Sequence, residues 1–199
     1  MASRKYELRE RAQKQAQTRR RIAEITAELH AEVGPARTTV AEIARRAGVQ
    51  RLTVYNNFPE EYDLISACQA HWLELHPPPD PSAALALDDP AERLRAVLRA
   101  LYGWYRSTER MAANVRRDRE LVQALDRRMR ETTDVRLRGL TEALTGGFAR
   151  RGRPRKAVRA GVALALDFWT WRRLVQEGLT DAAAADLMVE AVRCAATAR

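Results

Sequence analysis

The clearest chemistry in this sequence lies in a short polar stretch between residues 50 and 57. It combines amides, hydroxyls and one arginine at positions predicted to face outward: Gln50, Arg51, Thr53, Tyr55, Asn56 and Asn57. Such groups hydrogen-bond to base edges and phosphates, and no carboxylate lies among them to repel a polyanion. The stretch therefore predicts a surface that reads a DNA groove. The alternative is an ordinary helix of an all-α protein.

Two short predicted helices position this surface. Thr39 can cap the first helix, and Glu42 follows at the spacing of a capping box. Gly48 supplies the positive φ that a tight turn between crossed helices needs. In the second helix, about residues 50–56, Val54 and Phe58 face inward. Cap, glycine turn and polar face together predict a helix-turn-helix.

The flanking segments complete a predicted DNA-binding domain over residues 18–66. A helix over about 18–33 is predicted from apolar residues at steps of three and four, and Gly34-Pro35 ends it. A fourth helix starts after Pro59. Residues 1–17 form a basic N-terminal arm, either helical or disordered, that either contacts DNA or remains a solvated tail.

Charge and cysteine content limit the class of protein. The 199 residues carry a formal net charge of +9, which favours a polyanionic partner. Cys68 and Cys194 form no metal spacing and no disulfide framework. The N-terminus lacks a signal-peptide core, and no apolar run is long enough to span a bilayer. We expect a cytoplasmic, nucleoid-associated protein with no membrane segment.

The remainder, residues 67–199, is predicted to be an all-α effector-binding and dimerisation domain. Helices are predicted over about 91–108, 111–128 and 131–149. The last two helices, about 155–177 and 180–197, differ, because the first is apolar nearly all round and the second is rich in alanine. A helix apolar on every side must be covered on every side. Pairing with a second copy in a four-helix bundle would cover both, giving a homodimer. A monomer core is the alternative.

Aromatic and polar residues of this region are candidates for a mostly apolar ligand pocket. They are Trp72, Trp104, Tyr105, Met111, Asn114, Phe148, Phe168, Trp169 and Trp171. Their alternative role is plain core. Asp167 is a carboxylate within a predicted apolar helix, where it can anchor a cationic or hydroxyl-bearing ligand or pair with an arginine across the dimer.

Catalytic chemistry is not predicted. The three histidines, His30, His71 and His76, form no metal or triad spacing. The sequence has no glycine-rich phosphate loop and no serine elbow. We expect no enzyme activity, no metal and no cofactor.

From Ile22 to Ile65 the sequence resembles the tetracycline-repressor (TetR) family of bacterial transcription regulators. The resemblance is ungapped and includes Ile22, Leu29, Gly34, Thr38-Thr39-Val40, Ile43-Ala44, Ala47-Gly48-Val49, Thr53, Tyr55, Phe58 and Leu64. It implies an all-α fold of about nine helices, a homodimer, an N-terminal DNA-reading head and a C-terminal effector-binding domain.

By the same resemblance, Arg51, Asn56 and Asn57 are candidates for base or groove contacts, and Thr39, Thr53 and Tyr55 for phosphate contacts. Two positions depart from the family pattern. Gln50 and Leu52 stand where Ser and Gly are frequent, and Leu52 either contacts a thymine methyl or packs. Glu61 stands where a lysine commonly grips the backbone, so either the backbone N–H groups at that helix start or the basic arm must compensate.

The function expected from the resemblance is a repressor that binds a pseudo-palindromic operator on double-stranded DNA as a homodimer. A small hydrophobic or amphipathic ligand would release it. The alternative is a ligand-independent architectural factor acting through a protein partner. A second basic region favours that alternative, since residues 110–156 hold fourteen basic against six acidic residues. A solvated arginine-rich face explains the same charge.

Overall fold

The computed structural model describes residues 2–148 and 152–197, and its regular structure there is helical throughout. The prediction of an all-α fold is confirmed. The helices are α1 (Ala2–Glu32), α2 (Val40–Ala47), α3 (Arg51–Asn57), α4 (Glu61–Leu75), α5 (Ser82–Leu85), α6 (Pro90–Asp118), α7 (Gln123–Glu131), α8 (Thr133–Phe148), α9 (Gly152–Leu166), α10 (Phe168–Gln176) and α11 (Asp181–Thr197). A 3-10 turn, Pro35–Arg37, precedes α2.

Helix α1 begins at Ala2 and includes the basic arm, whereas the sequence predicted a separate helix from about Thr18. No proline or glycine interrupts it, and its N-terminal half is rich in Arg, Gln, Glu and Ala, which favour helix. Of the two alternatives for the basic arm, the structure therefore has the helix. Residues 9–17 are exposed throughout, so this part of α1 is held by its own backbone hydrogen bonds.

The chain forms two compact units. The first unit contains the described residues up to Pro77 together with Arg110–Met129, and the second contains Pro78–Glu109 and the described residues from Arg130 onward. Helix α6 contributes to both. The break predicted between residues 108 and 111 is absent, because no proline or glycine follows Gly103 in this helix. The functional division into residues 1–17, 18–66 and 67–199 stays a prediction.

A hydrophobic cluster holds the N-terminal helices of the first unit together. Its buried members are Ile22, Ile25, Leu29, Ile43, Ala44, Val54, Phe58 and Leu64. They come from α1, α2, α3 and α4, as the helical spacing of the apolar residues predicts. This cluster fixes which faces of α2 and α3 remain outside.

In the second unit an aromatic cluster packs at the junction of α9 and α10. Its members Tyr102, Tyr105, Phe168 and Trp171 are almost fully buried. The Tyr102 and Tyr105 hydroxyls each donate at 2.8 Å, to the carbonyl oxygens of Ala165 and Leu166. These bonds satisfy carbonyls that the end of a helix leaves unpaired.

The single helix predicted over about 155–177 is wrong, because the chain breaks at Asp167. This residue is the N-cap of α10, and its side chain accepts from the Thr170 N–H at 2.9 Å. The carboxylate that the sequence analysis placed inside an apolar helix is therefore a helix cap. The first of the two predicted dimerisation helices is accordingly α9 followed by α10.

Candidate nucleic-acid interface

The start of α2 is held by Thr39. Its side-chain oxygen accepts from the Glu42 N–H at 3.2 Å, so the predicted N-cap is confirmed and the hydroxyl proton remains available to donate. In a complete capping box the Glu42 carboxylate would accept from the Thr39 N–H. The Glu42 carboxylate accepts instead from Arg45, at 2.7 and 2.8 Å, and from Arg46 at 2.8 Å. These bonds lower the pKa of Glu42 to about 2, and Arg46 also pairs with Glu32 at 2.8 Å.

The turn between α2 and α3 depends on Gly48. Its φ is +69°, in the left-handed region that the sequence predicts. The following N–H, of Val49, donates to the Ala44 carbonyl at 3.0 Å. This arrangement ends α2 sharply and sets the angle at which α3 crosses it.

Helix α3 presents a polar face and buries an apolar one. Val54 and the following Phe58 are 2% and 3% exposed, and both pack in the hydrophobic cluster. The structure places the predicted contact residues Gln50, Arg51, Tyr55 and Asn56 in exposed positions on one helix. Their DNA contacts stay a prediction, and the geometry gives them a common accessible surface.

Thr53 and Asn57 lie differently from the other predicted contact residues, since both are half-buried. The Asn57 side-chain amide donates to the Thr53 carbonyl at 2.8 Å. These two residues flank the exposed face and do not project from its centre. Their hydroxyl and amide groups can reach a phosphate only at the edge of the surface.

Arg19 holds the C-terminal end of α3 and was missed by the sequence analysis as an individual residue. Its guanidinium donates to the Asn57 carbonyl oxygen and lies 4.0 Å from the centre of the Phe58 ring. A cation at a helix C-terminus complements the helix dipole, and contact with an aromatic face adds to this. In the sequence, Arg19 is one of several basic residues near the N-terminus, which suggested DNA contact. No neighbouring residue indicated that Arg19 would position α3.

The end of α6 holds the segment that leads into α2. Asp118 is 2% exposed, and its carboxylate accepts from the Ala36 N–H at 3.0 Å and from Arg117 at 2.7 and 3.1 Å. Burial by itself would raise the pKa of Asp118, but the bonds from Arg117 and Ala36 prevail and lower it. Arg117 also donates to the Val33 carbonyl at 3.1 Å.

Asn114 adds further hydrogen bonds between α6 and the end of α1. Its amide nitrogen donates to the His30 carbonyl at 3.0 Å and to the Ala31 carbonyl at 2.9 Å, while its oxygen accepts from Arg117 at 2.9 Å. Asn114 was predicted to line a ligand pocket. Within the first unit it caps the last carbonyls of α1, and its assignment to ligand binding stays a prediction.

Basic and acidic side chains both lie near the helix-turn-helix. Lys14, Arg20, Arg21 and Glu24 of α1 line one concave surface with Ala47 and Val49, which flank Gly48, so this part of α1 lies beside the helix-turn-helix. Glu61 is exposed at the start of α4. The predicted departure from a lysine at that position is therefore on the accessible surface.

His30 is a buried titratable residue beneath α3. It is 6% exposed, lines a cavity of about 260 Å³ under α3, and its Nδ1 lies 3.5 Å from the Cys68 sulfur. Burial lowers the pKa of His30 to about 4, with Asp118 acting in the opposite direction. The folded protein therefore keeps this imidazole neutral at pH values where the unfolded chain binds a proton.

We expect the first unit to lose stability as the pH falls from about 6.5 to about 4. A lowered pKa stabilises the folded state above the unfolded value and ceases to do so below the folded one, a difference of about 3 kcal/mol. Urea unfolding followed by circular dichroism at several pH values measures it. His30→Gln should reduce the loss over this range. An unchanged pH dependence in that variant would contradict the assignment.

The predicted ligand-pocket residues divide between the two units. Trp72, Met111 and Asn114 belong to the first unit, where Trp72 and Met111 pack with Ala27 and Cys68. The remaining residues belong to the second unit: Trp104, Tyr105, Phe148, Asp167, Phe168, Trp169 and Trp171. Of the second set, Tyr105, Phe168 and Trp171 are core, while Trp169 is 42% exposed. The assignment to ligand binding stays a prediction.

Metal-binding clusters and membrane spans are absent from the part of the chain that the structure describes. Within residues 2–148 and 152–197, no three His, Cys, Asp or Glu side chains are grouped so that they could hold a metal ion. Among the described helices, none has both the length and the apolar character needed to cross a membrane.

The helix-turn-helix and the fold around it have counterparts among known proteins. Residues 22–68 match the model of the bacterial regulatory proteins of the tetR family. The fold is similar to the crystal structure of a TetR-like transcriptional regulator from Rhodococcus sp. RHA1, with a TM-score of 0.57 and 20% sequence identity. That similarity covers 88% of this chain and 93% of the other. No curated protein matches the sequence.

Proposed function

We propose that the chain is a member of the TetR family of bacterial transcription regulators, which the match over residues 22–68 supports, and that it is a ligand-released repressor. It binds a pseudo-palindromic operator as a homodimer. The observation that carries the proposal is the exposed face of α3, where Gln50, Arg51, Tyr55 and Asn56 stand free of carboxylates. Two such helices, one from each protomer, would enter successive major grooves about 34 Å apart.

Exposed apolar side chains near the C-terminus support the homodimer. Leu164 on α9 is 57% exposed, Trp169 on α10 is 42% exposed and Leu187 on α11 is 49% exposed. These three helices span the two segments predicted for dimerisation. A second copy packed against them would remove this apolar surface from water. Sedimentation equilibrium tests the dimer, and a monomeric mass at micromolar concentration would contradict it.

Selection from random double-stranded DNA, followed by footprinting on a recovered duplex, tests the DNA-binding proposal. One protected site with two-fold symmetry supports an operator-specific regulator. Scattered protection along the duplex supports the architectural alternative, for which the basic region over residues 110–156 is the favouring observation. Salt dependence does not separate the two, since both kinds of binding release counterions.

A small hydrophobic or amphipathic effector is the proposed ligand of the second unit. Phe148 lines a concave surface of about 370 Å³, together with Arg95 and Arg193, and Trp169 is partly open to solvent. An effector can release the repressor only if it prefers the state that does not bind DNA. Quenching of tryptophan fluorescence by a candidate compound tests this.

Asp167→Asn sharpens the test of the effector site. Asparagine retains an oxygen that can accept from Thr170 N–H, so the cap of α10 persists while the charge is lost. Loss of quenching by a cationic compound in this variant supports Asp167 as its anchor. Unchanged quenching leaves Asp167 as a cap alone.

Removing residues 1–17 tests the proposed contribution of the basic arm. The core begins at Ile22, so the truncated head should fold. We expect weaker operator binding and a shallower dependence of log K on log salt, by about 0.9 for each phosphate that the truncated protein no longer neutralises. Fluorescence anisotropy at several salt concentrations measures both. An unchanged affinity and slope would show that the arm does not compensate for Glu61.

A further inference from the structure

We propose that Leu52 reads the C5-methyl group of a pyrimidine in the operator, a specificity contact that rests on the proposed DNA-binding function. The sequence left two roles open for this leucine, packing within the protein or contact with a thymine methyl. The structure decides against packing, because the Leu52 side chain is 65% exposed. It is also absent from the hydrophobic cluster that holds α3.

The position of Leu52 on α3 places it near the centre of the outward face. At 100° per residue, Leu52 lies about 160° around the helix axis from Val54 and about 120° from Phe58. Those two residues are the ones that α3 and its C-terminus bury. Leu52 therefore projects away from the core, in the direction in which a recognition helix meets the groove floor.

The surroundings of Leu52 match DNA and not an apolar protein partner. The adjacent residue Arg51 and the residues three and four positions on, Tyr55 and Asn56, are all exposed and polar. Helix α3 contains no carboxylate, so this face suits a polyanion. An apolar partner would have to bury Arg51 and Asn56 without hydrogen bonds, which is costly.

A leucine in this setting has one complementary group on the major-groove edge. The base edges offer hydrogen-bond donors and acceptors, and the apolar exception is the C5-methyl of thymine. A methylated cytosine presents the same C5-methyl in the same groove. Removing the leucine and methyl surfaces from water favours binding, whereas a protein that left Leu52 in water would gain nothing from it.

Replacing thymine by uracil removes only the methyl group and tests the proposal directly. The test uses a duplex that the wild-type protein has selected. Each thymine position of the half-site is changed to uracil in turn, and each change is made in both half-sites at once. We expect one position to weaken wild-type binding, by about fourfold for each half-site. Leu52→Ala should bind the thymine and uracil duplexes equally. Replacing each half-site cytosine by 5-methylcytosine identifies the other source, if the wild-type affinity rises and that of Leu52→Ala does not.

Matched variants separate a specific contact from a general effect. Leu121→Ala removes another exposed leucine of the first unit, one that is 74% exposed, and should keep the wild-type preference for thymine over uracil. Because Leu52 is not in the core, Leu52→Ala should also unfold at the wild-type urea midpoint. Its loss of discrimination then cannot be a loss of folding.

The outcomes distinguish failure of this inference from failure of the proposed function. The Leu52 contact is overturned if no methyl group in the half-sites affects wild-type binding, or if Leu52→Ala retains the wild-type discrimination. In both cases sequence-specific DNA binding still stands. Failure of the wild-type protein to enrich any duplex overturns both.

Discussion

Arg51→Ala is expected to weaken binding of the selected operator by at least about thirtyfold while leaving the dimer intact. Arg51 is exposed on the first turn of α3, where recognition helices reach base edges. A bidentate contact with a base contributes about 1–3 kcal/mol, and a two-fold symmetric complex loses two of them. Tyr55→Ala should act in the same direction, since Tyr55 is 53% exposed on the same face. Gel-shift titration measures both affinities.

Arg138→Ala is the matched control for Arg51→Ala. Arg138 is exposed on α8, and its replacement removes the same charge from the basic region over residues 110–156. It should change operator affinity little. Equal losses in the two variants would show that binding follows net charge, as the architectural alternative requires. Unchanged affinity in both Arg51→Ala and Tyr55→Ala would remove α3 as the reading helix.

Asp118→Ala is expected to lower the free energy of unfolding of the first unit by about 3 kcal/mol at pH 7. The change removes a buried acceptor and leaves the Ala36 N–H and the Arg117 guanidinium without it. Hydrogen bonds to charged groups contribute about 1.5–3 kcal/mol, and this buried carboxylate accepts several of them. Asp118→Asn should cost less, because its amide oxygen can still accept from Ala36. Urea unfolding followed by circular dichroism measures each variant.

The same carboxylate adds to stability only where it is charged. The pKa of Asp118 is lowered in the folded state, so its contribution is present above the unfolded value of about 4 and is lost as the pH falls below it. Asp186→Asn serves as the control, since Asp186 pairs with Arg95 and Arg99 in a half-exposed position. That variant should cost less than about 1 kcal/mol. A similar small cost for Asp118→Ala would contradict the anchoring role of Asp118.

The helix-turn-helix could be predicted because its signals are local. Thr39, Gly48 and the apolar spacing of α2 and α3 lie within about 20 consecutive residues, and each acts through its own backbone or a near neighbour. The all-α class followed in the same way, from apolar residues at helical spacing. Proline and glycine positions accounted for several helix ends but not for the start of α1 or the end of α6.

Other features depend on residues far apart in sequence. Ala36 and Asp118 are separated by 82 positions, and Arg19 and Asn57 by 38. Nothing near Asp118 indicates that α6 would end beside α1. Asp167 was placed inside a continuous helix for a related reason, since a polar residue between apolar runs suits both a helix interior and a helix cap until the chain is seen to turn there.

Leu52 is an example of a residue whose orientation the local sequence did not determine. The sequence by itself determined the helical class, the turn at Gly48 and the polar character of the reading helix, since these follow from backbone preference and periodicity. Only the tertiary structure decided that Leu52 faces outward, that Asp118 holds the segment before α2, that Arg19 holds the end of α3, and that the predicted pocket residues belong to two units. The physical reason is that burial is a property of the packed molecule, set by which helices cover which faces.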